Sequence, residues 1–389
     1  KNIKIDKKID KIKIGFISEF LTNHTIGRIF NGFIKNLNKK KFEIVIFHTP
    51  QTKNGVLKNE IDNTADKVST LSDEITNQHK KIEEEKLDIL FYTDIGMSPT
   101  TYFLAFARLA PIQIVSWGHT ETTGIDTIDY FLSSKFFESN IEQNNYSERL
   151  ICLNQIPTFY KPLTNIKFSK SRKELGLPEN VNLYGCPQSL FKLHPDFDLV
   201  MSNILEKDNK SHIVLVEGLN NESKEKYWSE ALKKRWSKNF PILNERVIFL
   251  KRLSQSDFLS LCNCVDVLLD PLHFGAGYTF LLTTMVGTPT VTMPGKYLRR
   301  NMTFAAYAQM QISSPPIAKN YEEYVNLAIE LAQNKIKNAS LRKEIKIAAD
   351  KYLYSNSNVL KEFEAFLEDA YEANKKGKKL KDGYIINAK

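Results

Sequence analysis

The chain has 389 residues, 42% hydrophobic and 25% charged, which is room for two domains with a core each and the composition of a soluble globular protein. No apolar run approaches the roughly 18–20 residues that a membrane helix needs, and the polar opening KNIKIDKKID does not read as a secretory signal peptide. The formal charge of +9 comes mostly from Lys, with only ten Arg, scattered among Asn, Ile and Glu; this argues against nucleic acid and for a small anionic ligand such as a phosphate ester.

The first half alternates short β-rich runs with helical stretches. Strands are predicted at Ile12–Ser18, Phe42–His48, Asp88–Thr93, Ile112–Trp117 and Ile128–Ser134, with helices at Arg28–Asn38 and Thr100–Arg108 among them. Nearly continuous apolar strands separated by helices predict an α/β fold, a parallel sheet covered on both faces. Residues 155–180 hold three prolines and little periodicity and read as a linker. The alternation then restarts, with strands at Asn182–Pro187, His212–Gly218, Arg246–Leu253 and Val265–Asp270 and helices at Pro195–Glu206, Ser223–Ser237 and Ser256–Asn263. Helices dominate from about Tyr321 to Ala373, and the block KKGKKLKD (Lys375–Asp382) reads as a solvated end. The expected domains are 11–160 and 178–340, with C-terminal helices 341–374 packing back on the first. Cys152, Cys186, Cys262 and Cys264 form no CxxC pair, so buried thiols in a reducing compartment, the cytoplasm, are expected.

In an open α/β sheet, ligands bind where strands end in loops that lead into helices. The run Val265–Asp270 ends in PLHFGAGYT, where Gly275, Ala276 and Gly277 leave the backbone unobstructed and Thr279 stands near a helix start. Peptide N–H groups and a helix N-terminus there suit a phosphate or diphosphate; a plain tight turn is the other reading. The loop is neither a P-loop nor a GxGxxG fingerprint. CPQSLFKLHPDFD follows the first strand of the second half and would bring Lys192 to the same sheet edge. In the first half His24, Asp94 and His119 each follow a predicted strand, where a titratable group can act as acid, base or hydrogen-bond donor.

Four collinear stretches carry a resemblance. GFISEFLTNH, FARLAPIQIVSWGHTETTGIDTIDYFLSS, PQSLFKLHPDFD and LLDPLHFGAGYT with GTPTVTMPG together resemble the catalytic region of the O-GlcNAc transferase (SPINDLY-like) family, which includes bacterial cytoplasmic protein N-glucosyltransferases. The similarity runs from about Lys11 to Ile312. It implies a GT-B architecture: two Rossmann-like domains, the active site in the cleft between them, a UDP-sugar donor held mainly by the second and an acceptor entering from the first. It also implies inversion, no cofactor and no required metal. Asp196-Phe197-Asp198 spells an Asp-x-Asp, and is read instead as carboxylates favouring a helix dipole.

By the same resemblance Lys192, with Gln188 and Ser189 in its motif, meets the donor diphosphate. Gly275 and Ala276 lead into Gly277, Tyr278 and Thr279, the turn that holds the phosphates. Arg252 and Leu253 match the loop beside the uracil. His24 lines the active site, with His119 on the acceptor side, and His24 ahead of Asp94 is the expected base. Two departures stand out. Leu282 occupies the place of a carboxylate that holds the ribose, so either Thr283, Thr284 or another segment takes that task or donor affinity is weak. The residues before Lys11 do not encode the tetratricopeptide superhelix of many members, and the chain, which lacks an initiator Met, is expected to be a piece of something longer or to serve a smaller acceptor. The leading expectation is transfer of GlcNAc or glucose from a UDP-sugar to Ser/Thr or Asn of a protein. The alternatives are a nucleotide-sugar epimerase or hydrolase of the same fold, or a weakened transferase-like binding module.

Overall fold

The computed structural model describes residues 11–138, 143–163, 166–218 and 222–386; the opening decapeptide and residues 164 and 165 of the expected linker lie outside them. The chain forms two compact units, Lys1–Lys161 with Ser355–Lys389, and Pro162–Tyr354.

The first unit is built on strands β1 (Ile12–Ser18), β2 (Phe42–His48), β3 (Lys67–Thr70), β4 (Ile89–Tyr92), β5 (Ile112–Ser116), β6 (Tyr130–Ser134) and β7 (Arg149–Leu153). Between the first five run helices α1 (Thr25–Asn36), α2 (Val56–Asp62), α3 (Ile75–Glu83) and α4 (Pro99–Leu104). The second unit has strands β8 (Asn182–Cys186), β9 (Ser211–Val216), β10 (Val247–Leu250), β11 (Val267–Leu269) and β12 (Thr290–Val291). Its helices are α5 (Pro195–Lys207), α6 (Glu222–Asn239), α7 (Pro241–Arg246), α8 (Gln255–Cys264), α9 (Tyr278–Val286), α10 (Leu298–Met310), α11 (Tyr321–Gln333) and α12 (Lys335–Ala348). Helix α13 (Ser357–Lys375) and a two-residue strand β13 (Tyr384–Ile385) return to the first unit.

Both sheets are parallel throughout, in the orders β13-β7-β6-β5-β4-β1-β2-β3 and β10-β9-β8-β11-β12. Interior strands such as β4, β5 and β6 are buried along their whole length, because helices cover both faces of such a sheet. Helix α1 shows why the connectors pack: Ile26, Ile29, Phe30, Phe33 and Ile34 are buried at i, i+3, i+4, i+7 and i+8, one apolar stripe. Each buried Phe there contributes about 1.5–3 kcal/mol. The helix lies so close to the segment after β7 that a Cβ on Gly32 would stand 1.8 Å from the Phe159 carbonyl oxygen. Gly32→Ala should therefore destabilise the chain by about 1–3 kcal/mol through overpacking, read as a lower urea midpoint at unchanged slope.

Several elements differ from expectation. Strand β3 is a polar edge strand with three of its four residues exposed. Strand β7, RLICL, is absent from the expected strands although it is as apolar as the others. The helical tail divides at Ser355 rather than near 341. Arg342 holds α12 to the second unit through the carbonyls of Asn263 and Val265 and the Thr288 hydroxyl. Helix α13 instead stacks Phe363 on Phe33 at 4.2 Å and sets Phe366 edge-on to Tyr130. The basic block after it is not simply solvated: Leu380 donates its N–H to Tyr130, Lys379 pairs with Asp129, and the chain then adds β13 beside β7. Cys152, Cys186 and Cys262 are buried free thiols, and Cys264 is half-buried.

Candidate functional site

In each sheet the chain turns back at one pair of neighbours, and that switch point is where a doubly wound sheet offers its crevice. In the second unit the pair is β8 and β11. Beyond β8 come Gln188, Ser189, a single turn Leu190–Lys192 and then α5; beyond β11 come Asp270–Gly277 and α9. The two loops meet. Lys192 Nζ donates to the Gly275 carbonyl at 3.0 Å and lies 3.4 Å from Gln188 Oε1, with the Phe274 ring centroid at 4.2 Å. Gln188 Nε2 donates to Thr279 Oγ1 at 2.8 Å. Burial brings the Lys192 ammonium down to about 8, against the pull of the nearby Asp270 carboxylate. A cation stripped of water in this way gains most from an arriving anion.

Asp270 was not among the sequence candidates, yet it shapes the loop. Its buried carboxylate accepts from Ala276 N at 2.7 Å and from Thr292 Oγ1 at 2.7 Å, and burial raises its pKa. A Cβ on Gly275 would meet that carboxylate at 2.8 Å, so this glycine is sterically required. Gly277 is different: a Cβ there meets nothing nearer than Met302 Sδ at 3.6 Å. It is the N-cap of α9, and no side chain caps that helix, so its first N–H groups keep their affinity for an anion. Tyr278 is buried and Thr279 half-exposed, so the first offers backbone and the second a hydroxyl as well.

The remaining donor-side candidates are less tightly gathered. Ser189 is exposed at the start of the Lys192 turn. Arg252 and Leu253 follow β10 at the same sheet edge, two strands out from β8. Leu282 is buried. Thr283 and Thr284 give their hydroxyl protons to the Phe280 and Leu281 carbonyls of their own helix, and Thr284 also meets Tyr354. Neither hydroxyl is presented to a ligand.

The first unit's switch point lies between β1 and β4, with β5 next to β4. All three strands end in loops carrying a candidate. Asp94 is fully buried and accepts at Oδ2 from Ser18 Oγ and Glu19 N, both at 3.1 Å. Its Oδ1 makes no hydrogen bond, because Thr101, which faces the carboxyl, donates instead to the Ser98 carbonyl. Burial raises this carboxyl to about 7. His24 caps α1, its Nδ1 accepting from Ile26 N at 3.2 Å, and its ring packs on Phe20 at 4.5 Å. That bond places the neutral ring's proton on Nε2, and burial lowers the pKa. His119 lies over Gly96, whose φ of 98° and distance of 2.6 Å from a built Cβ to His119 Cδ2 admit no side chain.

One group escaped the sequence reading. His194, Asp196 and His273 bring one ligating atom each to within 4.8 Å of one another. The two carboxylates of the Asp-x-Asp in the first turn of α5 do not act as a pair, since buried Asp198 is bound by Arg235 at 2.7 Å. His273 sits in PLHFGAG, but nothing in that spacing points to Asp196, 77 residues away.

The sequence model of glycosyl transferase family 41 matches residues 2–161 and 160–359. The chain belongs to glycosyl transferase family 41. Among its relatives is an Arabidopsis thaliana protein named "Probable UDP-N-acetylglucosamine--peptide N-acetylglucosaminyltransferase SEC", 22% identical over 353 residues, which cover 88% of this chain and 35% of that protein. The UDP-glucose:protein N-beta-glucosyltransferase of Actinobacillus pleuropneumoniae is 26% identical over 261 residues, 66% of this chain and 40% of the other. The family 41 chain thus spans well under half the length of these relatives. A solved O-GlcNAc transferase of Thermobaculum terrenum superposes with a TM-score of 0.81 at 20% identity, over 94% of this chain and 68% of that one. That likeness shows the fold: α/β, of the GT-B class, with two Rossmann-like domains. Among the described residues no helix is long and apolar enough to cross a membrane.

Proposed function

We propose that this family 41 chain transfers a sugar, GlcNAc or glucose, from a UDP-sugar to a Ser/Thr or Asn side chain of a protein in the cytoplasm, with inversion and with no metal in the transfer step. The observation that carries the reading is the desolvated Lys192 ammonium beside the uncapped start of α9. In such a transfer the acceptor heteroatom bonds to the anomeric carbon, the bond from that carbon to the diphosphate breaks, and the electron pair leaves with UDP. Negative charge grows on the leaving oxygen, so a cation and N–H donors fixed beforehand stabilise the transition state more than the ground state. The acceptor's proton goes to a base. Of the first unit's candidates, Asp94 keeps an oxygen without a partner, whereas the acceptor nitrogen of His24 is committed to its cap. We therefore assign the proton to Asp94 and hydrogen-bond donation through Nε2 to His24, with His119 on the acceptor side.

A second reading, a binding module with weakened transfer, is favoured by Leu282 and by the committed hydroxyls of Thr283 and Thr284. Incubation with UDP-GlcNAc or UDP-glucose and a pool of peptides separates the readings. A hexose or N-acetylhexosamine mass increment on a peptide, with matching UDP release, is expected. Donor turnover without any increment, as released UDP or as an epimerised UDP-sugar, indicates a hydrolase or epimerase, and calorimetric UDP binding without turnover indicates the binding module. The base is read from kcat/KM against pH, which reports free-enzyme groups. Asp94 must be ionised to accept, so it gives a rising limb near 7 that Asp94→Asn removes; a limb below 6.5 that Asp94→Asn leaves in place points to His24 instead.

A further inference from the structure

We propose that His194, Asp196 and His273 form a binding site for one first-row divalent cation of the zinc class, on the flank of the Lys192 loop. The three come from both sides of the second unit's switch point. His194 is the N-cap of α5, Asp196 lies in that helix's first turn, and His273 is on the loop between β11 and α9. Asp196 Oδ2 stands 2.7 Å from His273 Nε2 and 3.5 Å from His194 Nδ1. The two imidazoles meet edge to face with centroids 4.8 Å apart. Around a tetrahedral zinc with bonds of about 2.0–2.1 Å, ligand atoms stand about 3.3 Å apart. The His194–Asp196 separation already fits, and the Asp196–His273 contact must open by roughly half an ångström as a metal replaces the proton between them; His194 Nδ1, which caps α5 by accepting the Asp196 N–H at 3.2 Å, must exchange that bond for the metal.

The chemistry of the set selects the cation. Two imidazole nitrogens and one carboxylate suit zinc, cobalt, nickel or copper, whereas magnesium and calcium want shells made of oxygen. The side chains are 51%, 42% and 36% exposed in the order His194, Asp196, His273, enough for an ion to enter and keep a fourth position for water or another ligand. Tyr321 donates to Asp196 Oδ2 at 3.3 Å, which orients the carboxylate from outside the set.

Arg300 works against the ion and supplies the sharpest test. Its Nη1 lies 3.1 Å from His273 Nδ1, while its Nε is held by the Met293 carbonyl at 2.8 Å. An arginine can only donate, so Nδ1 accepts and the ring proton sits on Nε2, pointed at Asp196. A metal at Nε2 needs that proton displaced to Nδ1 and the guanidinium turned away. A glutamine at 300 could instead accept from Nδ1–H, the usual support for a metal-bound histidine. The bound ion would tie the start of α5 to His273, two residues before the Gly275 carbonyl that receives Lys192. It takes no part in the transfer step proposed above, and the site stands or falls separately from that reading.

The test is zinc binding to the full chain after chelator treatment, by calorimetry and by metal content after dialysis, with circular dichroism as the check on folding. One zinc per chain is expected, at least tenfold weaker in His273→Ala and in Asp196→Asn, several-fold tighter in Arg300→Gln, and unchanged in His212→Ala. Cobalt(II) should give the intense visible absorption of a four-coordinate ion, lost in the same two variants. No zinc uptake by the folded parent at millimolar metal overturns the site. So does uptake that survives both His273→Ala and Asp196→Asn, or that Cys264→Ser alone abolishes.

Discussion

Lys192→Met is expected to lower the rate of sugar transfer about 100- to 1,000-fold, the usual effect of removing one preorganised donor from a developing negative charge, while leaving the fold as stable or making it more so. The two halves of that expectation have one cause. Burial lowers the Lys192 pKa from 10.5 to about 8, so the folded state disfavours the charged form that the unfolded chain carries freely. The cost is full below about 8 and fades as the pH rises towards 10.5, the unfolded value. Methionine keeps most of the packed volume and removes that cost, so urea midpoints at neutral pH should hold or rise while turnover falls. A residue kept for packing would move both downwards; one kept for function against stability separates them. The parent's pH profile carries the same signature. The ammonium is the competent form, so kcat/KM should fall as the pH passes about 8, and the limb should vanish in Lys192→Met.

Much of this site can be read from residue order alone. Any parallel sheet with β8 and β11 as neighbours brings their following loops together, which is why PQSLFK and HFGAGYT could be paired before their contact was seen. The stripe of α1 and the continuous apolar runs of β1, β2 and β5 are equally explicit, since burial on both faces leaves no alternation to misread. Other features carry no local signal. Strand β3 is a polar edge, and β12 and β13 are two residues each, shorter than any period. Helices α12 and α13 have similar amphipathic patterns; only the partners of Arg342 and Phe363 decide which unit each serves. The roles of Thr283 and Thr284 turn on side-chain rotamers. A threonine in a helix can face a ligand or bond back to its own carbonyl, and here both bond back. His24 offers the same lesson. Its position after β1 suggested a base, whereas its cap bond to Ile26 leaves Nε2–H as the group it presents.

Asp270 makes the strongest case for a residue that acts through others. Asp270→Ala leaves the Ala276 N–H and the Thr292 hydroxyl buried without their acceptor, at about 1–3 kcal/mol, and removes the negative charge that helps to hold the Lys192 ammonium protonated. The lost charge adds little to this, because Lys192 can shed its proton; a net loss of about 1–3 kcal/mol is expected, together with loss of UDP binding. Asp270→Asn discriminates. An amide oxygen can still accept from Ala276, so the loop and most of the stability should survive. The counter-charge does not, and the Asp270 carboxylate is the main influence holding the Lys192 pKa up against burial. Without it the Lys192 pKa falls below about 8, less of the ammonium is present at neutral pH, and the falling limb of kcat/KM moves towards acid. A merely structural Asp270 would give Asp270→Asn a lower stability with the limb unmoved. A shifted limb at near-parent stability identifies the carboxylate as the group that keeps Lys192 charged until the diphosphate arrives.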